Sequence, residues 1–376
     1  MADMADTLIR YALLLLAEGD GYQPVRADLR IRDGVIAELD RQAKLTPAPG
    51  DKVIDARDRL VLPGFINAHA HSTMALLKGT TDGLNHPAFM WQNQADTVGR
   101  SAEEVELTTT LAAADMLRHG ITSVIDHVPE QNAVSDTVAP VIRAWRKSGL
   151  RAAVALRVFD EAYDDIAAPG LTAAQNALAH LPANEVLSRL IQTIEDWHRP
   201  AERISIYVGP SNTERCSDLL LAEGHALAAR HKTGFHAHLL ETEVQRTLCL
   251  EKRGTTPIVR LNRLGALTQR CSFAHCVWVD DAEIALLAES GAVVVHNPQS
   301  NAKLGVGTMP LTTMHEAGVQ VALGTDGAST NDTQSIHEAM GLAILLPRIA
   351  GVGRSRWPDS NVALDMAWVG GAAALG

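Results

Sequence analysis

Cysteine is scarce in this chain, at four in 376 residues. Cys216, Cys249, Cys271 and Cys276 form no C-x-x-C pair and no disulfide-like framework, so a reducing cytoplasm is the natural compartment. Long apolar runs are missing too. The longest near the start, Tyr11 to Ala17, is too short to span a bilayer and follows an acidic rather than a basic segment, which excludes a signal peptide or a membrane span there. Positive charge gathers nowhere: the formal net charge is -11, and no predicted element carries a Lys/Arg cluster. That argues against nucleic acid as a partner and favours a neutral or cationic small molecule. No low-complexity tract or long Pro/Gly/Ser linker divides the chain.

The length and a hydrophobic share of 46% suffice for one large barrel domain plus a smaller one. Short strand-like segments at Leu8 to Leu16, Arg26 to Ile31 and Gly34 to Leu39, with Arg32-Asp33-Gly34 as a hairpin signal, predict a small β-domain over residues 1–62. From residue 63 to 376 the pattern becomes buried apolar strands alternating with helices. Eight strand-like runs are counted: Val61 to His69, Thr122 to His127, Ala152 to Val158, Ile204 to Val208, Gly234 to Leu239, Ser272 to Val277, Ala292 to Val295 and Val319 to Leu323. Helix-like stretches separate them, among them Ala102 to His119 and Asp218 to His231. An open doubly wound sheet alternates in the same way, but eight runs predict an α/β fold of the (β/α)8 TIM barrel type.

Chemistry in such a barrel gathers at the carboxyl ends of the strands. The first run ends in His69-Ala70-His71, the fifth in His236-Ala237-His238 followed by Glu241, the sixth in His275, the seventh in His296 and the eighth in Asp326. Residues i and i+2 of a strand point the same way, so His69 and His71 can grip one ion. A lone histidine is as readily satisfied by backbone hydrogen bonds. His238, His275 and Asp326 reach the same rim if the barrel closes, and imidazoles with a carboxylate are the ligands of a zinc-like ion that lowers the pKa of water. Asp326 is suited both to holding the ion and to taking the water's proton. The fourth run, Arg203 to Pro210, contains no Lys to bridge a second ion, so one ion is expected.

Leu62-Pro63-Gly64-Phe65-Ile66-Asn67-Ala68-His69-Ala70-His71 resembles the first-strand motif of the amidohydrolase superfamily. His238-Leu239-Leu240-Glu241-Thr242, Ala274-His275-Cys276, His296 to Leu304 and Gly324-Thr325-Asp326-Gly327 are similar to its branch of adenosylhomocysteine, methylthioadenosine and guanine deaminases and triazine hydrolases. The resemblance runs from about Gly34 to the last residue. It implies a single zinc ion, sometimes iron (Fe2+), with His69, His71, His238 and Asp326 as ligands, and it selects His238 over His236, which becomes a packing or supporting residue. It makes Glu241 the proton shuttle between the substrate ring and the leaving group, and His275 the residue that orients or polarises water with Asp326 and meets the substrate. That division of labour suits the chemistry, since turning C–NH2 into C=O on a heterocycle needs a nucleophilic water, a proton for the ring and a protonated leaving amine. A carboxylate favoured by a helix N-terminus is the plainer reading of Glu241. A small heterocyclic substrate with water, no nucleic acid, no membrane, and a cytoplasmic homo-oligomer complete the expectation.

The branch often carries Pro-Leu-x-x-Trp-Leu after the first strand, whereas this chain has Pro87-Ala88-Phe89-Met90-Trp91-Gln92. The Pro and Trp spacing survives, which assigns Trp91 to stacking on the bound ring, or else to the core. Arg157, nearer its strand's carboxyl end than Arg151, is the substrate-binding arginine or the partner of Asp160 or Glu161. Asp126 and His127 end the second run without an assigned role. Relatives add strands after the last barrel helix that complete a β-sandwich with the N-terminal segment; Leu375-Gly376 falls where these would begin, so the sandwich is expected to be half present. The leading expectation is a zinc-dependent hydrolytic deaminase of an amino-substituted N-heterocycle of purine, pyrimidine, pterin or triazine type. The alternatives are a metal-dependent hydrolase of another C–N, C–Cl or C–S bond, and a zinc-stabilised binding protein without activity. The stretches Lys78 to Val98 and Phe159 to Leu181 are expected to set the substrate.

Overall fold

A computed structural model describes residues 6–19, 21–97, 99–128, 135–161 and 180–376. The chain folds as two compact units, Met1–Gly64 and Phe65–Gly376.

In the first unit β1 (Thr7–Glu18) pairs antiparallel with β2 (Gly21–Arg32), which pairs antiparallel with β3 (Val35–Asp40). The β2–β3 turn puts Asp33 and Gly34 at φ of 52° and 78°, the two left-handed residues of a type I′ hairpin, which is why an Asp-Gly pair marks it in the sequence. Two short strands not foreseen from the pattern, β4 (Lys52–Asp55) and β5 (Leu60–Val61), pair parallel with β1. Both are too brief to show a period. Ala12, Leu14, Ala27, Leu29 and Ala56 form the unit's buried core.

The second unit is built on a curled parallel sheet. Its strands are β6 (Phe65–His71), β7 (Ile121–Val128), β8 (Arg151–Val158), β9 (Ile204–Pro210), β10 (Phe235–Leu239), β11 (Cys271–His275), β12 (Val293–His296), β13 (Gln320–Leu323) and β14 (Asp326–Gly327). Each pairs with the next from β6 to β13, and β14 pairs parallel with β6. The run expected over Val61 to His69 is split: Leu60–Val61 belongs to the first unit, and the strand of the parallel sheet starts at Phe65. Pro63 has no N–H to give a ladder, so the strand cannot pass through it.

Strand parity sorts the side chains into two layers. Val154 and Leu156 on β8, Ile206 and Val208 on β9 and Val294 on β12 face helix residues such as Met116, Trp145, Leu190 and Leu227 in the larger core. Ala153, Ala155, Tyr207, Val293, Val295 and Ala322 form a separate interior cluster. The interior positions nearest the carboxyl ends continue this parity, and they are polar: His127 follows Ile125 by two residues, and Arg157 follows Ala155 by two. Among the described residues no helix is long and apolar enough to cross a membrane.

Candidate metal centre and active site

His69 and His71 end β6, His238 lies on β10 and Asp326 opens β14, and all four are buried. One ligand atom from each lies within 4.8 Å of all the others. The His71 and His238 Nε2 atoms are 3.1 Å apart, and Asp326 Oδ1 is 3.4 Å from His69 Nε2 and 3.2 Å from His71 Nε2. Donors around a tetrahedral zinc with bonds of about 2.0–2.1 Å stand about 3.3 Å from one another.

The proton positions follow from what each ring faces. His71 Nδ1 lies 2.8 Å from the His127 carbonyl oxygen and His238 Nδ1 2.6 Å from that of Ser211. A carbonyl only accepts, so both Nδ1 atoms carry the hydrogen and both Nε2 atoms present lone pairs. His69 Nδ1 is 2.8 Å from His236 Nε2, whose own Nδ1 is 2.7 Å from Ser272 Oγ, and among the described residues the buried His69 Nε2 has no hydrogen-bond partner. Burial also keeps His69 and His238 neutral: it lowers the pKa of His69 to about 4 and takes His238 well below the usual histidine value. Three lone pairs and a carboxylate oxygen crowded around one point repel each other unless a cation lies between them. The donor set therefore fits a divalent metal ion. A second group of ring nitrogens lies on His69, His127 and His236, where His69 Nδ1 and His236 Nε2 are 2.8 Å apart.

Asp326 is fixed through its other oxygen: Oδ2 accepts from Ser300 Oγ at 2.5 Å. His275, on β11, stacks on His238 with ring centroids 5.5 Å apart, and its Nδ1 faces Asn301 Oδ1 at 2.9 Å. Glu241 follows β10 by two residues. Its Oε2 is 3.9 Å from His275 Nε2 and 3.2 Å from Nε2 of His86, the first residue of α1 (His86–Thr97). Burial would raise the Glu241 pKa, but the charges of His275 and His86 hold it down at about 2. Burial would likewise lower that of His86, and the Glu241 charge raises it instead.

The backbone is bent where these groups stand. Leu240, His275, Cys276 and Asp326 have φ of 51°, 79°, 46° and 58°, a region that costs a residue with a side chain about 1–3 kcal/mol. Hydrogen bonds hold the bends: Cys276 N donates to Leu239 O at 2.8 Å, and Thr325 N to His69 O at 3.1 Å and to Asn67 Oδ1 at 3.0 Å. Gly324 lets β13 close on the ligands, because a Cβ there would stand 2.3 Å from Asn297 Oδ1 and 2.8 Å from His69 Cβ.

Of the residues singled out in the sequence, His69, His71, His238 and Asp326 come together, with His275 and Glu241 beside them. Arg157 is buried on β8 and donates from Nε to Ser211 Oγ at 3.1 Å, next to the carbonyl that holds His238. Asp160 accepts from Ser217, and Glu161 pairs with Arg253. Trp91 is half-buried on α1, and the residue of that helix touching the Glu241 carboxylate is His86. Residues 162–179, most of the Phe159 to Leu181 stretch, and Val98 lie outside the described residues. His86, Ser211, Ser272, Ser300 and Asn301 were not picked out as site residues. Each acts by hydrogen bonding to a neighbour at the site, His86 from the start of α1, Ser211 from just after β9, Ser272 from β11, and Ser300 and Asn301 from the short helix Pro298–Lys303, inside the seventh-run motif but without a readable role.

Residues 60–376 match the amidohydrolase family. A 5′-deoxyadenosine deaminase of Methanosarcina mazei is 32% identical over 378 residues, covering 99% of this chain and 81% of that protein. A 5-methylthioadenosine/S-adenosylhomocysteine deaminase of Thermococcus kodakarensis is 33% identical over 364 residues, covering 95% of this chain and 78% of the relative. Among solved structures, an adenosine deaminase from Xanthomonas campestris with bound zinc superposes with a TM-score of 0.84 at 27% identity, covering 99% of this chain and 80% of that one. A triazine hydrolase from Arthrobacter aurescens superposes at 0.89 with 22% identity, covering 99% and 83%, a likeness of fold.

Proposed function

Since the chain belongs to the amidohydrolase family, we propose that it is a zinc-dependent hydrolytic deaminase of an amino-substituted N-heterocycle, with the adenine ring of adenosine derivatives as the first substrate class to test. The observation that carries this reading is the Glu241 carboxylate, 3.9 Å from His275 Nε2 and beside the group of three imidazoles and Asp326. A carboxylate so placed can receive a proton and pass it on, which a closed structural metal site does not require.

His69, His71, His238 and Asp326 would hold one divalent ion, zinc or ferrous iron. Bound there, such an ion supplies the Lewis acidity that brings a water's pKa down to about 7. Asp326 takes a proton from the attacking water through Oδ1, while Ser300 fixes Oδ2. His275 has its Nδ1 hydrogen committed to Asn301 Oδ1, which leaves its Nε2 side to orient that water. The proton that Asp326 takes from the water passes to the ring nitrogen next to the reacting carbon by way of Glu241, which is ionised at rest and so free to receive it. The water oxygen bonds to that carbon, its remaining proton passes by the same carboxylates to the amine, the C–N bond breaks, and ammonia leaves. Arg157, a buried guanidinium, meets a polar substituent of the substrate, and Trp91 stacks on the ring.

The same reading makes the curled sheet a closed (β/α)8 barrel, because β13 and β14 are consecutive pieces of one strand that pair with β12 and β6. The N-terminal sheet is then a partial β-sandwich, and four buried free cysteines suit a reducing cytoplasm.

Ammonia release by the zinc-loaded protein from a panel of aminopurine nucleosides, aminopyrimidines, aminopterins and aminotriazines tests the proposal. Release from one class supports it, and none from any class overturns it. Chloride, thiol or carboxylate appearing without ammonia would shift the assignment to another hydrolytic bond.

A further inference from the structure

Glu241 is fixed from behind and from in front by different parts of the chain. From behind, its backbone N donates to Gln245 Oε1 at 2.6 Å, just after the left-handed Leu240. In front, among the described residues, His86 Nε2 is the one donor within hydrogen-bond distance of the carboxylate, at 3.2 Å; His275 at 3.9 Å is too far. His86 and Glu241 are both largely buried, with side chains 13% and 9% exposed, so their contact is shielded from solvent.

The segment that brings His86 there is itself attached to the site. Leu84, Phe89 and Met90 pack with Met74, Leu77, Val277, Leu304 and Val306. Thr81 bonds to the Ser329 carbonyl, and Gly79 N donates to Asp332 Oδ1 at 3.1 Å. Val277 follows β11, which ends in His275, and Leu304 and Val306 follow β12 in the connection that carries Asn301, so the same segments also seat the start of α1.

We propose that His86 is the positioning residue for Glu241: its Nε2–H bonds to Oε2 and holds the carboxylate beside His275, where the proton must be passed on. This inference rests on the deaminase reading for its kinetic consequence and on geometry alone for the contact. His86 is then one step from the reacting atoms. Its loss lets the carboxylate swing, and a displacement of about 1 Å at a reacting group costs on the order of 100-fold in rate. The contact is made by an N–H, so a glutamine, which places an amide N–H near the Nε2 position without an ionisable ring, replaces it.

Two measurements decide this. In steady-state deamination by zinc-loaded protein, His86→Ala is expected to lower kcat by about 100-fold with KM changed less than about 3-fold and zinc content intact, and His86→Gln to recover kcat to within about 5-fold of wild type. An alanine variant with wild-type kcat, or a glutamine variant as slow as alanine, overturns the assignment. Independently, protein labelled with 13Cε1-histidine, in which the His86 resonance is identified by its absence from His86→Gln, reports the imidazole's titration by NMR. The midpoint is expected to fall on Glu241→Gln, and an unchanged midpoint overturns the contact. Absence of ammonia from the wild type overturns the deaminase reading alone, because the midpoint comparison decides the His86–Glu241 contact by itself.

Discussion

Asp126→Asn changes one oxygen to an NH2 without changing shape, at a carboxylate that touches no ligand of the metal group directly. Asp126 is fully buried on β7; its Oδ1 accepts from Ser72 N at 2.8 Å, and its Oδ2 accepts from Ser72 Oγ and from Trp145 Nε1, both at 2.7 Å. An asparagine has one acceptor oxygen for these three donors. If the oxygen replaces Oδ1, the NH2 points at the indole N–H, which can only donate. If it replaces Oδ2, the NH2 points at the Ser72 amide. Either way a buried donor loses its acceptor and meets another donor, at about 1–3 kcal/mol for each unsatisfied group. Removing a carboxylate whose burial raises its pKa offsets part of this, so a net loss of about 1–3 kcal/mol is expected. At roughly 2–4 °C per kcal/mol, Tm should fall by about 2–12 °C. Ser72 follows His71, so the slackened turn should also weaken zinc binding by about 10-fold or more. Thermal unfolding of the loaded protein and a chelator competition measure the two effects. A Tm within 1 °C of wild type together with unchanged zinc affinity would refute the argument.

Glu241→Gln is expected to keep the metal and lower kcat by about 10²–10⁴-fold, checked by metal analysis and ammonia release on the same preparation; wild-type turnover would remove Glu241 from the chemistry. In metal-stripped protein, burial holds His69 to a pKa of about 4 and His296 to about 3. Between pH 6.5 and 4 the unfolded chain takes up protons that the folded one refuses, so stability is lost as pH falls through that window. Circular dichroism melts at stepped pH should show Tm dropping steadily below 6.5, and a flat Tm down to pH 4 contradicts the burial argument. Gly324→Ala, whose Cβ would press on Asn297 and His69, should cost about 1–3 kcal/mol and release zinc more readily, read by melting and by competition with a chelator.

Much of the fold was legible because buried parallel strands write themselves as apolar runs, and the left-handed pair Asp33-Gly34 writes a hairpin. The splitting of the first run at Pro63 was not read, although the missing N–H was in view. β4 and β5 have too few residues for a period. At the site, the residues at strand ends were readable from their place after an apolar run. His86 was not, since it sits in a connection whose course depends on packing against Val277, Leu304 and Val306, far along the chain. Ser211 and His127 contribute backbone carbonyls to the histidines, a role to which side-chain identity gives no clue.

The parity of the strands has a consequence for how such a chain can change its length. Within β8, Ala153 and Ala155 fill the interior, Val154 and Leu156 meet the helices, and Arg157 reaches the mouth in the alanine register. Removing or adding one residue ahead of Arg157 would exchange the two sets, driving Val154 and Leu156 into space sized for alanine and turning the guanidinium into the apolar layer. Insertions and deletions are thereby barred from the strands and confined to the connections. Diversification of the pocket can proceed through loops of unequal length while the ring of imidazoles keeps its address.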